Sequence, residues 1–229
     1  MNVFRALADG LHFMAVAGLL AHILYRDSVE ELSLKTQSMY LAVFLLRYLD
    51  LFTNFISAYN SFMKIFFIVS TGATVCLFFF GTKTKYEREK DAFRFELLIL
   101  PSIFLAFCFN HDFSTFEIAW TVSIYLEAVS IVPQLWMCWH RAKMASFLQC
   151  YLCCMALYRF LYIFNWLYRY HCEAYFDPIA VWAGLVQTLI FLLFLVGCKC
   201  GSAEEETENS IFVVEKGLDT ENLLRADLI

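Results

Sequence analysis

Proline and glycine are scarce in this chain, at 3 and 8 of 229 residues. That scarcity excludes collagen-like repeats and restricts disorder to the C-terminal stretch. Charge is also thin, at 17% of residues, whereas 61% are hydrophobic and 18% aromatic, with 25 Phe. A soluble domain of this length cannot bury so much apolar surface, so the composition predicts an all-α, polytopic membrane protein. No basic stripe is present and nucleic acid is not an expected partner. The net charge of -5 comes largely from the C-terminal end. There is no N-x-[ST] sequon, and no small-residue cleavage pattern follows the first apolar run, which reads as a retained span. The nine cysteines do not form a framework. Cys76, Cys108, Cys138, Cys153 and Cys154 lie in or beside apolar runs, where cysteine packs as a small hydrophobe, and Cys150-x-x-Cys153 has no second ligand pair. No metal or cofactor is expected. Cys198 and Cys200 are candidate palmitate acceptors.

Helices of about 20 apolar residues match the hydrocarbon thickness of a bilayer. Seven such spans are predicted, at Val3–Tyr25, Gln37–Phe55, Phe62–Gly81, Phe95–Phe109, Ser114–Trp139, Met144–Tyr168 and Pro178–Cys198. Residues 1–198 then form a transmembrane domain and 199–229 an acidic tail, expected to be disordered. The connections after spans one, three and five carry Arg26 and Lys35; Lys83, Lys85, Arg88, Lys90 and Arg94; and Arg141 and Lys143. The alternate connections, Ser57–Ser61, Asn110–Phe113 and Tyr170–Asp177, carry no Lys or Arg. The positive-inside rule puts the basic loops and the tail in the cytosol and the N-terminus in the lumen or exterior.

Seven spans with opposite termini suit a receptor of the G-protein-coupled type or a pair of three-helix repeats joined by a linker helix. Asn54-Phe55 and Asn165-Trp166 each follow an aromatic–arginine pair, Arg47-Tyr48 and Tyr158-Arg159, by seven residues or so. That echo favours the repeat. Pro133-Gln134 in span five is expected to kink it, because proline frees a backbone carbonyl.

Ionisable side chains inside these spans define a candidate cavity, since each costs roughly 2.5–3.5 kcal/mol at mid-bilayer unless paired or solvated. Arg5 and His12 lie two turns apart on one helix face. Arg47 and Asp50, at i and i+3, are expected to share a face, as are Glu117 and Trp120, with Glu127 further along the same span. In span six, Tyr158, Tyr162, Asn165, Trp166 and Arg169 make a polar and aromatic stripe. Snorkelling accounts for Arg5 or Arg169 alone, and an interfacial belt accounts for Trp120 or Trp166 alone. Neither serves Arg47 or Arg159, which sit well inside their spans. Three arginines (Arg5, Arg47 and Arg169) set against Asp50 and Glu117 imply a ligand rich in carboxylates with one cationic end, because guanidinium forks match carboxylates.

At these residues the chain resembles a known family. Arg47-Tyr48-Leu49-Asp50-Leu51-Phe52-Thr53-Asn54, Asn110-His111-Asp112-Phe113, Ser123-Ile124-Tyr125-Leu126-Glu127, Pro133-Gln134-Leu135, Tyr162-Ile163-Phe164-Asn165-Trp166, Arg169-Tyr170-His171 and Ala183-Gly184-Leu185-Val186-Gln187-Thr188 are similar to the KDEL receptors, which retain endoplasmic-reticulum lumenal proteins. The likeness runs from Met1 to about Val196. It implies a seven-helix bundle akin to SWEET and PQ-loop proteins, in endoplasmic-reticulum and cis-Golgi membranes. Its luminal cavity would bind the C-terminal K-D-E-L or H-D-E-L of escaped resident proteins, tightly in the acidic Golgi and weakly in the neutral endoplasmic reticulum. The residues matching Arg5, Arg47 and Arg169 would engage the acidic groups. Asp50, Glu117 and Trp120 would select the basic or aromatic position, and Tyr48, Tyr162, Asn165 and Trp166 would line the pocket. Asn54, Arg159 and Asp177 are expected to shape the cavity. His12 matches the family's proton sensor. Burial disfavours an imidazolium and a carboxylate favours it, so His12 against Glu127 and Tyr158 is expected to charge as pH falls toward about 6.

The C-terminal end departs from the family. Members typically carry a lysine cluster read by the retrograde vesicle coat. Here Cys198-Lys199-Cys200-Gly201 is followed by Glu204-Glu205-Glu206-Thr207-Glu208. Phe191 to Phe194 stand where an aspartate is common. Asp219, Leu223 and Leu224 fit an acidic dileucine sorting signal, which makes coat or adaptor proteins the expected cytosolic partners. A proton-coupled solute transporter of the same fold would also need buried acids and a histidine, and would show flux. An enzyme would need a nucleophile or metal set beside His12, Glu127 and Tyr158, and none accompanies them.

Overall fold

The computed structural model describes residues 2–52, 55, 57–81, 86, 88–141 and 143–197. Asn54, Cys198, Cys200, the acidic tail and the Asp219, Leu223 and Leu224 signal lie outside the described residues. The protein is a helical membrane protein, with no strand among the described residues. Its helices are α1 (Val3–Arg26), α2 (Leu34–Arg47), α3 (Ala58–Phe80), α4 (Glu96–Cys108), α5 (Thr115–Val129), α6 (Val132–Trp139), α7 (Ser146–Glu173) and α8 (Pro178–Gly197). Five helical stretches are long and apolar enough to cross a membrane: α1, α3, α5 with α6 as Thr115–Trp139, α7 and α8. The helix α4 is apolar but shorter. Residues 1–190 form one compact unit, and a second begins at Phe191, inside α8. All sites described below belong to the first.

Helix starts follow side-chain chemistry. Asn2, Ser33, Ser57 and Ser114 cap α1, α2, α3 and α5, each accepting a hydrogen bond from a backbone N–H of the first turn. Such caps satisfy donors that have no partner inside the helix. Within the first unit α1 packs on α7 and α3, α2 on α3 and α5, and α4 on α5. Leu19, Ile23, Val43, Phe44, Met137 and Met155 are buried between them. Ile124 and Ala128 of α5 meet Ile179 and Ala183 of α8, with Trp120 and Tyr125 packed alongside.

Two spans are not the continuous helices that their apolar runs suggest. The run over 37–55 holds a helix only to Arg47, followed by a 3-10 turn at Leu49–Phe52. The expectation that Arg47 and Asp50 share a helix face is therefore corrected, and each finds a partner on another helix. The run over 114–139 breaks at Ser130 and Ile131, where the Ser130 hydroxyl donates to the Leu126 carbonyl (2.7 Å). Pro133 stands in the first turn of α6, where its missing N–H costs nothing. Gln134, fully buried, then serves the neighbouring chain: its Oε1 accepts from Ser33 N (2.8 Å) and its Nε2 donates to the Glu31 carbonyl (2.8 Å).

The same corner holds the connection between α3 and α4. The buried Asp91 carboxylate accepts from Ser33 Oγ (3.0 Å to each oxygen), Lys35 N (3.3 Å) and Tyr86 OH (2.5 Å). Lys35 Nζ donates to the carbonyls of Asp91 and Phe93. Burial and the bond to Asp91 push the Tyr86 hydroxyl well above the ordinary tyrosine range. The cysteines also differ from the expectation of core packing: only Cys138 is buried among the described ones, and Cys76, Cys108, Cys150 and Cys153 are exposed on helix surfaces. No group of His, Cys, Asp and Glu among the described residues could hold a metal ion.

Candidate ligand-binding site

The expected site residues converge on two cavities that share a wall. The first, about 320 Å³, is lined by Arg5, Asp9 and His12 of α1, Arg47 at the end of α2, Glu127 of α5, and Tyr158, Arg159, Tyr162, Asn165, Trp166 and Arg169 of α7. The second, about 600 Å³, is lined by Asp50, Lys64, His111, Ser114 and Glu117, among others. Arg47, Tyr48, Trp120, Tyr175 and Asp177 border both. Arg5, Arg159 and Arg169 thus border the first chamber alone, together with Asp9 and Glu127, whereas Asp50 and Glu117 border the second alone, together with Lys64.

The floor of the arginine chamber is a buried ion cluster. Glu127 receives Arg47 Nη1 (2.5 Å) on one oxygen and Arg159 Nη2 (2.6 Å) on the other, and Tyr158 OH also donates to it (3.1 Å). The Glu127 side chain is 5% exposed and Arg159 10%. Arg47 Nε donates to Ser123 Oγ (3.1 Å). Two cations against one anion leave the cluster with one positive charge in excess. Arg47 Nη2 and Arg159 Nε are buried with no hydrogen-bond partner among the described residues, so the cluster retains donor capacity.

His12 lies beside this cluster without bonding to it. Its ring stacks on Tyr158 (centroids 4.3 Å, planes 6° apart) and on Phe67 (4.5 Å), with Phe44 at 5.8 Å. Its Nε2 is buried and has no partner among the described residues. The expected His12–Tyr158 proximity is present, whereas the Glu127 carboxylate is occupied by the two arginines.

Nearer the mouth, Arg5 approaches Asp9 (3.7 Å), which also accepts from Tyr162 OH (2.5 Å) and Tyr59 OH (3.4 Å). Arg169 pairs with Glu173 (2.8 Å) and lies over the Tyr175 ring at 3.9 Å. Asn165 is buried and accepts from Asn2 Nδ2 (2.9 Å), so it ties the cap of α1 to α7 while bordering the cavity. Trp166 fits against α8 because residue 184 is glycine. A Cβ there would come within 2.0 Å of the indole ring.

In the second chamber Asp50 is bound by Lys64 Nζ, 2.7 Å from each carboxylate oxygen. Lys64 also lies 5.7 Å over the Tyr48 ring, which itself stacks on Phe44. Glu117 is half-buried, with Thr121 Oγ1 at 3.5 Å. Asp177 accepts from Ala180 N (3.1 Å) as the cap of α8 and faces His111 Nε2 (3.4 Å). Sequence reasoning overlooked Lys64, Asp9, Tyr175 and Glu173. The signal for Lys64 was available, as a lone lysine inside the apolar run of α3.

Fold and cavity define the class: a multi-helix membrane protein with a charged, solvent-accessible interior. Comparison with known proteins narrows it. The family model described as "ER lumen protein retaining receptor" matches residues 28–169. An ER lumen protein-retaining receptor of Caenorhabditis elegans is 49% identical over 194 residues, covering 85% of this chain and 91% of that protein. Receptors of the same name are 42% identical in Drosophila melanogaster and 45% in Xenopus tropicalis, over 85% of this chain and 92% and 91% of theirs. The chain belongs to the ER lumen protein-retaining receptor family, which is a family of receptors and not of enzymes.

Proposed function

We propose that this protein binds the C-terminal K-D-E-L or H-D-E-L signal of endoplasmic-reticulum residents in its paired chambers and returns them from the Golgi. The observation that carries the reading is the uneven placing of charge about one shared wall. Arg5 and Arg169 border only the first chamber, Asp50 and Glu117 border only the second, and Arg47 stands on the wall between them. An extended tetrapeptide spans about 13 Å, so it reaches from one chamber into the next. Its three carboxylates suit the guanidinium forks, and its basic end suits the acidic pair, with Trp120 and Tyr48 between them. Tyr162, Asn165 and Trp166 shape the arginine side, while Arg159 and Asp177 brace it.

The chambers face the lumen in this reading and the C-terminal tail faces the cytosol, with α2 and α4 completing a seven-span bundle of two three-helix repeats in endoplasmic-reticulum and Golgi membranes. The packing of α1 and α2 on α3 supports one such repeat. Coat or adaptor proteins read the tail. His12 supplies acid dependence: its imidazole is stacked on Tyr158, next to Glu127, Arg47 and Arg159. If the bound state favours the imidazolium, affinity falls as pH rises through its titration. Titration of the purified protein with labelled K-D-E-L and H-D-E-L peptides at about pH 5.5 and about pH 7.4 tests the reading. Saturable, acid-favoured binding that needs the peptide carboxylates is expected, and its absence overturns the proposal.

A further inference from the structure

The carboxylate that would receive the peptide's cationic end already holds a cation from the protein. Asp50 stands on the 3-10 turn after α2, and Lys64 rises from the second turn of α3 to meet both of its oxygens at 2.7 Å. The two side chains differ in access: Lys64 is 9% exposed and Asp50 34%. The carboxylate is thus the more accessible of the two from the larger chamber, which both residues border. Lys64 Nζ also lies 5.7 Å over the Tyr48 ring. A lysine in an apolar helix is costly, and this carboxylate is the partner that offsets the cost.

We infer that Lys64 is a resident competitor for the cation site that Asp50 presents, and that it sets how strongly the receptor discriminates the basic residue four places from the end of its ligand. This rests on the peptide-binding reading above. A carboxylate has about four lone-pair positions, so an incoming ammonium or imidazolium either displaces Lys64 or shares Asp50 with it. In both cases the resident charge weakens the new pair, by exchange or by like-charge repulsion. Lys64 also satisfies Asp50 when the ligand has a neutral residue there, so such a ligand suffers no unpaired carboxylate. The resident lysine thus narrows the gap between basic and neutral ligands. It makes the site tolerant of K, H and related ends and easily emptied.

The measured quantity is the ratio of dissociation constants for labelled A-D-E-L and K-D-E-L at acidic pH, on full-length receptor in detergent. Lys64→Gln keeps a donor to Asp50 but removes the charge, and should raise the ratio on the order of tenfold, about the worth of one charge-assisted bond. Lys64→Arg keeps the charge, holds Asp50 with a two-pronged fork, and should lower the ratio several-fold. In the double variant Asp50→Asn with Lys64→Gln the ratio should fall toward one. A structural role for Lys64 predicts equal changes for both peptides, and an unchanged ratio in the variant that folds overturns the inference. If Lys64→Gln fails to fold, Lys64→Arg alone decides by the same criterion. Failure of the wild-type protein to bind either peptide would instead overturn the peptide-binding reading itself.

Discussion

Replacing Glu127 by Gln removes the one negative charge from a buried cluster that also holds Arg47 and Arg159. The side chain stays nearly isosteric, so its place beside Tyr158 is kept. The guanidiniums, 2.5 and 2.6 Å from its oxygens, lose their counter-charge. Breaking a buried pair by deleting one partner costs about 3–5 kcal/mol, because an uncompensated charge remains in a poorly hydrated place. For a chain of this size a kcal/mol corresponds to about 2–4 °C in Tm, which predicts a fall of roughly 6–20 °C. The assay is thermal unfolding of the purified receptor in detergent, followed by intrinsic tryptophan fluorescence.

A second variant makes the reasoning strict. Arg159→Met also destroys a 2.6 Å contact, but it leaves the Arg47–Glu127 pair intact and neutral. If net charge governs, its cost is less than about half that of Glu127→Gln. If contact number governs, Arg159→Met costs at least as much, because Arg159 gives up its bonds to Glu127 and Tyr158 and its place over the Tyr158 and Tyr162 rings. An equal or larger loss in Arg159→Met, or a Glu127→Gln receptor melting within about 3 °C of wild type, would refute the electrostatic account. The variant has a functional signature too. With Glu127 neutral, a protonated His12 would face two arginines and no carboxylate, so acid should no longer strengthen peptide binding.

Other substitutions probe separate parts of the site. His12→Ala should leave a peptide affinity that no longer falls as pH rises between about 5.5 and 7.4, and an unchanged pH profile in equilibrium binding would refute the sensor. Gly184→Ala drives a methyl into the Trp166 indole, 2.0 Å from its nearest atom, and so should displace the ring into the arginine chamber. Peptide affinity is expected to fall at least about tenfold at a Tm lowered by the strain, as overpacking costs about 1–3 kcal/mol. Gln134→Leu leaves Ser33 N–H and the Glu31 carbonyl unpaired in a buried corner, a loss of about 1–3 kcal/mol for each group, read as a lower Tm with peptide selectivity unaltered.

The helices were legible because long apolar runs bounded by Ser and Asn caps leave little choice of structure. The end of α2 was not. Leu49, Leu51 and Phe52 continue the apolar run, and the chain leaves the helix at Tyr48 for reasons that lie elsewhere in the sequence: Arg47 reaches Glu127, and Asp50 reaches Lys64. Local spacing favoured an Arg47–Asp50 pair, and partners 80 and 14 residues away won. The membership of the site was readable from the cost of charge in a membrane. The pairing within it was not, since several carboxylates and cations of equal chemistry compete and only packing ranks them. Arg169 shows the same thing at the mouth, where it meets Glu173, one turn on, rather than an open ligand position.

Those pairings change how affinity must arise. Each arginine of the chamber already holds a carboxylate: Arg5 with Asp9, Arg47 and Arg159 with Glu127, and Arg169 with Glu173. A ligand carboxylate therefore exchanges with an internal one instead of filling a bare cation, and gains only the difference between two similar interactions. The half-exposed pairs of Arg5 and Arg169 are weak and screened, so they yield first. The Glu127 cluster is buried and yields last. A peptide should accordingly gain its first contacts at Arg5 and Arg169 at little cost, while any gain at Arg47 must draw on a change in the Glu127 cluster. His12 is the titratable group packed against that cluster, so a proton taken up there bears on the deepest contact and leaves the entry contacts alone. Acid should then slow peptide release far more than it speeds entry, and stopped-flow measurement of both rates on the labelled peptide would show it. An acid effect confined to the association rate would contradict this order of contacts.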